Sequence, residues 1–344
     1  MKDIFLITDY HDRFGSKYTA RPYRSGMDKS LLTSEFRKSG LEAVFIRASE
    51  VFEKICDPSG SVFLYTSLED KYGEYKSFIE DVVLALESLG AIVIPGYRYL
   101  RGHNNKVFME LLRKKWGPAT GDNILSQAFG SLEDLKNTKL NVEFPIVIKK
   151  TEGYKSRGVY LAGDFGSLVR KARKLCRTKD LRTELKDIVR TFFYEGFKKE
   201  SLYRRKFIIQ KFSPGLESDY KILIFGDKYY VLQRSVRDQD FRASGSGLFS
   251  YPEILPAGLL DFSERVFRYF DVPAISLDIG CDKSRFYVFE IQFIYFGTYT
   301  IEHSEFCFKR VNQTWEIIKG RSVLEAEYAG CISDYLYRKG LMNK

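Results

Sequence analysis

With 344 residues, 44% of them hydrophobic and 15% aromatic, the chain can bury a large core over two or three domains, which excludes the disordered and fibrous classes. No apolar run approaches the roughly 20 residues needed to span a bilayer, and the first run, Ile4 to Ile7, is too short for a signal-peptide core, so the expectation is an unexported, cytoplasmic protein. The net charge of +10 suits polyanionic partners or phosphorylated and carboxylated substrates, while Cys56, Cys176, Cys281, Cys307 and Cys331 are scattered without zinc or disulfide spacing.

In the opening third, apolar runs alternate with helical periodicity: strand Ile4 to Thr8, helix Met27 to Lys38, strand Ala43 to Arg47, strand Val62 to Thr66, helix Tyr75 to Leu89 and strand Ile92 to Pro95. This alternation predicts βαβ units around a parallel sheet. Ligands of such sheets sit beyond the carboxyl ends of the strands, here Asp9 to Ser25 and Tyr65 to Ser67. Lys17, Arg21 and Arg24 are candidates to hold an anionic substrate; a solvated basic loop is the alternative of equal weight. A helix from Asn105 to Lys115 follows, then a break at Gly117-Pro118, and strand Phe144 to Lys149 opens a second unit.

After the loop Thr151 to Gly158 come strand Val159 to Ala162 and a long Lys- and Arg-rich helical stretch, Leu168 to Lys199, with a mostly exposed face. Strands Phe207 to Phe212, Tyr220 to Phe225 and Tyr229 to Arg234 are next, the last two joined by a Gly226-Asp227 hairpin turn. The chain closes with helix Leu259 to Phe270, strands Ile275 to Gly280 and Phe286 to Gln292, and helix Val323 to Lys339.

Asp278 on one of these late strands, with Glu290 and Gln292 on the next, is the most informative chemical feature. Alternation makes Glu290 and Gln292 face the same way. Carboxylate and amide oxygens suit magnesium, which takes one or two carboxylates and fills its shell with nucleotide phosphate. Each acid alone is more ordinarily a solvated strand residue. Upstream, Pro145 to Lys149 places a lysine at the end of a strand, followed by the glycine loop Gly153 to Gly158, whose amides can wrap phosphate. It is not a Walker A loop, since Val159 follows Gly158, and Gly245-Ser246-Gly247 lacks the third glycine of a dinucleotide fingerprint.

Together these residues resemble the ATP-grasp superfamily, in particular the branch of ribosomal-protein glutamate ligases and related amino-acid ligases, over Asn104 to Phe296. The resemblance implies an α/β fold, α+β in its nucleotide-binding part, with an N-terminal Rossmann-like parallel-sheet domain. The domains expected are 1–102 before the grasp, 103–206 with the phosphate loop, and 207–344 with the magnesium and substrate site. Lys106 and Lys149 resemble the phosphate lysines, and Lys155, Ser156 and Gly158 belong to the phosphate loop. Gln210-Lys211-Phe212 resembles the adenine hinge, and Glu217 or Asp219 is the ribose contact. The family's acid-x-Arg strand, hairpin arginine and Asp-Phe-Arg stretch resemble Asp219-Tyr220-Lys221, Arg234 and Asp240-Phe241-Arg242. Its Asp, Glu and Asn metal set resembles Asp278, Glu290 and Gln292.

Three departures stand out. Gln292 replaces an asparagine, Lys150 a proline, and Lys221 an arginine, which exchanges bidentate geometry for a point charge. The resemblance implies ATP and magnesium, with manganese as the alternative metal. It implies transfer of the terminal phosphoryl group to a carboxylate and attack by an amine, Arg234 and Arg242 stabilising the transferred group. The substrates expected are a small-molecule, peptide or saccharide carboxylate, anionic in kind, and an amine. A small-molecule kinase or a regulatory ATP-binding protein is the alternative on the same fold. A nucleic-acid partner is disfavoured because the aromatics are spread through strands, and a homodimer would follow the common symmetry of such enzymes. His11, His103 and His303 have no ligand spacing. Phe293, Tyr295, Phe296 and Tyr299 either line an acceptor site or pack in the core.

Overall fold

Two compact units divide the chain, one built from Met1–His103 with Leu216–Lys344, the other from Asn104–Gly215. The computed structural model describes residues 1–67, 73–151, 158–178, 181–214, 218–235, 247–282 and 285–342. Among them no helix is long and apolar enough to cross a membrane.

In the first unit, Leu41–Arg47, Lys2–Thr8, Val62–Tyr65 and Ile92–Ile94 form a parallel sheet in that order. Lys2–Thr8 has a neighbour on each side, so the chain reverses its winding direction there, the position at which such sheets bind ligands. The loop above it is held by Asp9, whose Oδ1 accepts the N–H groups of His11 and Arg13 at 2.8 and 3.0 Å. The helix expected from Met27 begins at Lys29 because Asp28 caps it, its Oδ1 accepting the Leu31 N–H at 3.0 Å.

The same unit holds a seven-stranded antiparallel sheet. Its main path runs Arg285–Gln292, Ala274–Asp282, Ser218–Phe225, Lys228–Ser235, Phe306–Val311 and Thr314–Lys319, with Phe249–Ser250 beside Lys228–Ser235. Helix Leu324–Arg338 joins the two sheets of this unit, since Ile332 and Leu336 share one core with Ile4, Phe36 and Leu223. The hairpin Phe306 to Lys319 was not anticipated: Phe306–Val311 shows no strict apolar alternation, and four of the six residues of Thr314–Lys319 lie in solvent.

The second unit is a four-stranded antiparallel sheet, Ser126–Phe129, Phe207–Lys211, Ile146–Lys150 and Val159–Ala162, with Lys106–Thr120 and Phe165–Cys176 against it. Phe207–Lys211 pairs with the strand that carries Lys149, so this unit runs on past Lys206. Two expectations are corrected here. The Gly117-Pro118 break is absent: Pro118 sits inside the last turn of Lys106–Thr120, and the helix ends at Gly121, whose φ of +83° suits glycine. The long stretch from Leu168 to Lys199 is two helices, Phe165–Cys176 and Leu181–Phe193.

Candidate active site

The first unit gathers its charged side chains on one face of the antiparallel sheet. Leu232, Lys221, Asp278 and Glu290 are paired in one row across four strands, and directly paired residues share a face. Arg234 and Asp219 form the adjacent row. Gln292 lies opposite Ser276 on the same face. A β-bulge makes this possible: Asp278 pairs with Glu290 but Ile279 with Val288, so Phe289 is the extra residue. Strict alternation would put Val288 beside Glu290; the bulge instead turns Val288 into the core, where it is fully buried.

Within this face Arg234 Nε donates to Asp219 Oδ1 at 2.5 Å, and its Nη2 lies 2.9 Å from Asp278 Oδ2. The Lys221 ammonium donates to Ser276 Oγ at 2.8 Å and lies 3.5 Å from both Asp278 Oδ1 and Gln292 Oε1. Both oxygens of Asp278 thus face a cation. Burial pushes the Asp278 carboxyl up, but Arg234 and then Lys221 outweigh burial and hold it at about 2. Burial raises Asp219 to about 6 against the pull of Arg234. Arg234 itself stays charged, the two carboxylates offsetting its burial.

In the second unit, Lys149 Nζ donates to Gln210 Oε1 at 2.5 Å, and Gln210 Nε2 donates to Glu110 Oε1 at 3.2 Å. Glu110 also takes both Nε and Nη2 of Arg113, at 2.7 and 3.0 Å, and the Ser126 hydroxyl. Arg113 pairs in turn with Asp122 and lies 4.4 Å from the Trp116 ring centroid. Gln210, Glu110, Arg113, Asp122 and Trp116 are all buried. Lys106 begins the same helix four residues before Glu110, on the same side. The Lys211 N–H donates to Leu125 O at 2.8 Å. Gly158 opens the strand Val159–Ala162, its carbonyl accepting the Lys150 N–H at 2.9 Å.

The structure therefore brings Asp219, Lys221, Arg234, Asp278 and Gln292 together, and separately Lys149 with Gln210. Glu290 shares the first group's face, and Phe212 follows the strand carrying Gln210. Lys155, Ser156, Glu217 and Arg242 lie outside the described residues. Lys17 is committed to a fully buried carboxylate, Glu325, at 2.7 Å, whereas Arg21 and Arg24 are exposed. Phe293 and Phe296 are core residues. Tyr299 instead stacks on His303 with ring centroids 4.0 Å apart and meets Phe249, the residue paired with Arg234.

Oxygen donors on two neighbouring strands fit a hard divalent cation in kind. Among the described residues no three His, Cys, Asp or Glu side chains form a cage.

A parallel-sheet region, an antiparallel sheet bearing acids and arginine on one face, and a separate four-stranded unit with a strand-end lysine together define the ATP-grasp fold. Solved structures of that fold match along most of the chain. D-cycloserine synthetase matches with a TM-score of 0.55 and 11% identity over 97% of this chain and 99% of that one. The ADP complex of N5-carboxyaminoimidazole ribonucleotide synthetase matches with 0.53 and 12% over 89% and 73%. A RimK domain ATP-grasp protein from Sphaerobacter thermophilus matches with 0.50 and 13% over 97% and 98%. No family model and no curated protein sequence matches the chain.

Proposed function

We propose that the protein is an ATP-dependent carboxylate–amine ligase. The observation that carries this reading is the single sheet face on which Asp219, Lys221, Arg234, Asp278 and Gln292 converge with Glu290 beside them. Such a face can hold a nucleotide's terminal phosphates and a metal while an arginine fork meets the transferred group. Synthetases among the similar folds support the same reaction kind.

In this reading Asp278, Glu290 and Gln292 would hold magnesium, or manganese, which neutralises phosphate charge when bound. Arg234, fixed by Asp219, presents its guanidinium to the transferred phosphoryl group. Lys221 adds a point charge at the same face. In the second unit, Lys149 and Lys106 neutralise the inner phosphates, and the strand end at Gln210 to Phe212 receives adenine. The bond between the β- and γ-phosphates breaks as a new P–O bond forms to a substrate carboxylate. An amine then forms the C–N bond, losing a proton, and phosphate leaves. Catalysis is positioning and charge neutralisation throughout. Lys155, Ser156 and Gly158 in the phosphate loop, Arg242 beside the transferred group, and Glu217 or Asp219 at the ribose complete the proposed assignment.

Calorimetric titration of ATP with and without magnesium tests the reading, on wild type and on Asp278→Asn with Glu290→Ala. Magnesium-dependent binding lost in the double variant, followed by amine-dependent ADP release with an anionic carboxylate, is the expected result. ATP binding indifferent to both changes would overturn the metal assignment. A phosphorylated product with no amide would replace the ligase by a kinase.

A further inference from the structure

The charge of the chain is not shared between its units. Residues 104–215 hold 25 Lys and Arg against 12 Asp and Glu, a net +13, and the remaining residues hold 30 against 33, a net −3, which together give the +10 of the whole chain. The cationic unit also carries a helix whose sides are reversed. In Leu181–Phe193 the apolar positions Leu185, Ile188, Val189, Phe192 and Phe193 follow the i, i+3, i+4, i+7, i+8 spacing of a core-facing stripe. All five face solvent, between 46% and 82% exposed, while Asp187 on the opposite side is only 3% exposed. Tyr194, just beyond the helix, extends the apolar row and lines a shallow groove with Leu185, Val189 and Phe193.

Arg182, Lys186 and Arg190 run at four-residue spacing along one edge of the stripe, and all are exposed. An apolar stripe ending in two phenylalanines and edged by cations is the pattern of a helix that lies in a bilayer interface. We infer that this helix docks the protein on an anionic lipid surface. The rings and aliphatic chains enter the acyl boundary, and the basic row meets acidic headgroups.

Two other occupants fit less well. In an antiparallel two-fold pairing of this face with a second copy, the basic rows fall on the same side and repel. Single-stranded nucleic acid would stack on Phe192 and Phe193, yet Leu185, Ile188 and Val189 offer no π-face. The inference is independent of the ligase reading, since none of these residues belongs to the proposed nucleotide or metal set.

The experiment is sedimentation of the full chain with phosphatidylcholine vesicles, with and without phosphatidylglycerol, on wild type, Phe192→Asp with Phe193→Asp, and Lys186→Glu with Arg190→Glu. All four positions are exposed, and unchanged circular dichroism and ATP titrations establish that each variant is folded. The wild type is expected to pellet with the anionic vesicles and to be released by salt. The Phe variant is expected to lose about a hundredfold or more in partition coefficient, and the charge-reversed variant to lose its preference for anionic lipid. Wild type remaining in the supernatant with every vesicle would overturn the inference, as would a Phe variant that pellets like wild type. A wild-type dimer dissociated by the Phe substitutions would assign the stripe to self-association instead. RNA binding that the Phe substitutions abolish, without vesicle binding, would assign it to nucleic acid.

Discussion

Lys149 Nζ lies 2.5 Å from Gln210 Oε1, so the lysine proposed for phosphate is aimed by a buried amide whose other end is held by Glu110. Lys149 therefore reaches its position through a chain that ends at Asp122, two residues beyond helix Lys106–Thr120. Replacing Gln210 by Ala removes the bridge, taking one hydrogen bond from Lys149 and one from Glu110, which keeps Arg113 and Ser126. The expected cost is about 1–3 kcal/mol, read as a lower urea midpoint, together with weaker ATP binding in calorimetry. Unaltered ATP affinity in a destabilised variant would reduce the amide to a structural role.

Arg113→Met tests the buried end of the same chain. It strands Glu110 and Asp122 as buried carboxylates and removes the cation over Trp116, 4.4 Å from the ring centroid. A loss of about 3–5 kcal/mol is expected, measured by chemical denaturation. Adding Glu110→Leu and Asp122→Asn to it should recover stability, because the unpaired charges are then gone as well.

Gly158 has a φ of +83°, and a Cβ there would stand 2.9 Å from the Cβ of Lys150. The left-handed conformation alone costs a side chain roughly 1–2 kcal/mol, and the contact adds to it. Gly158→Ala should lower the melting temperature and weaken ATP binding, since the strand pair Lys149↔Val159 closes at this residue. A variant as stable as wild type would show that the hairpin end can relax.

Glu302 supplies a pH test at a residue outside the proposed nucleotide and metal set. Its carboxylate accepts the N–H groups of Tyr18 and Thr19 at 2.7 and 2.9 Å and the Thr19 hydroxyl. Burial raises its pKa, but hydrogen bonds from Thr19, Thr298 and Tyr18 outweigh burial and hold it below 4.5. With the folded value below the unfolded one, the stabilisation is present above pH 4.5 and is lost as pH falls through the folded value. The wild type should therefore exceed Glu302→Gln in stability at pH 7, and the gap should narrow in acid. A gap that stays constant with pH would remove the carboxylate charge from the explanation.

The parallel sheet was legible in the sequence because its apolar runs alternate with helical segments, and the convergence of Asp278 with Gln292 because period-two alternation is local and both strands are long. Glu110, Arg113 and Asp122 were not. On Lys106–Thr120 the first two have the i, i+3 spacing of ordinary surface charges, and only the packing of that helix on a sheet reveals that they are buried. The signal that could have found them is the density of apolar neighbours, Met109 and Trp116, on the same helix side. Pro118 misled for a related reason: it stands two residues before the helix end, so the bond it removes is one of the last and little helix lies beyond it to be kinked. The reversed exposure of Leu181–Phe193 was equally hidden, since periodicity shows that a stripe exists but not which way it points.

The extra residue at Phe289 acts as a phase shift in the strand. Were the same residues paired one for one with no bulge, every position before Glu290 on Arg285–Gln292 would exchange sides. Val288 would come to lie beside the acids and Tyr287 would turn inward, so an apolar patch would replace part of the charged face. Deleting Phe289 itself would by contrast keep those sides, since Asp278↔Glu290 and Ile279↔Val288 would then follow one another in a regular ladder. In comparing distant chains of this fold, residues on the two sides of this position must be counted in separate frames.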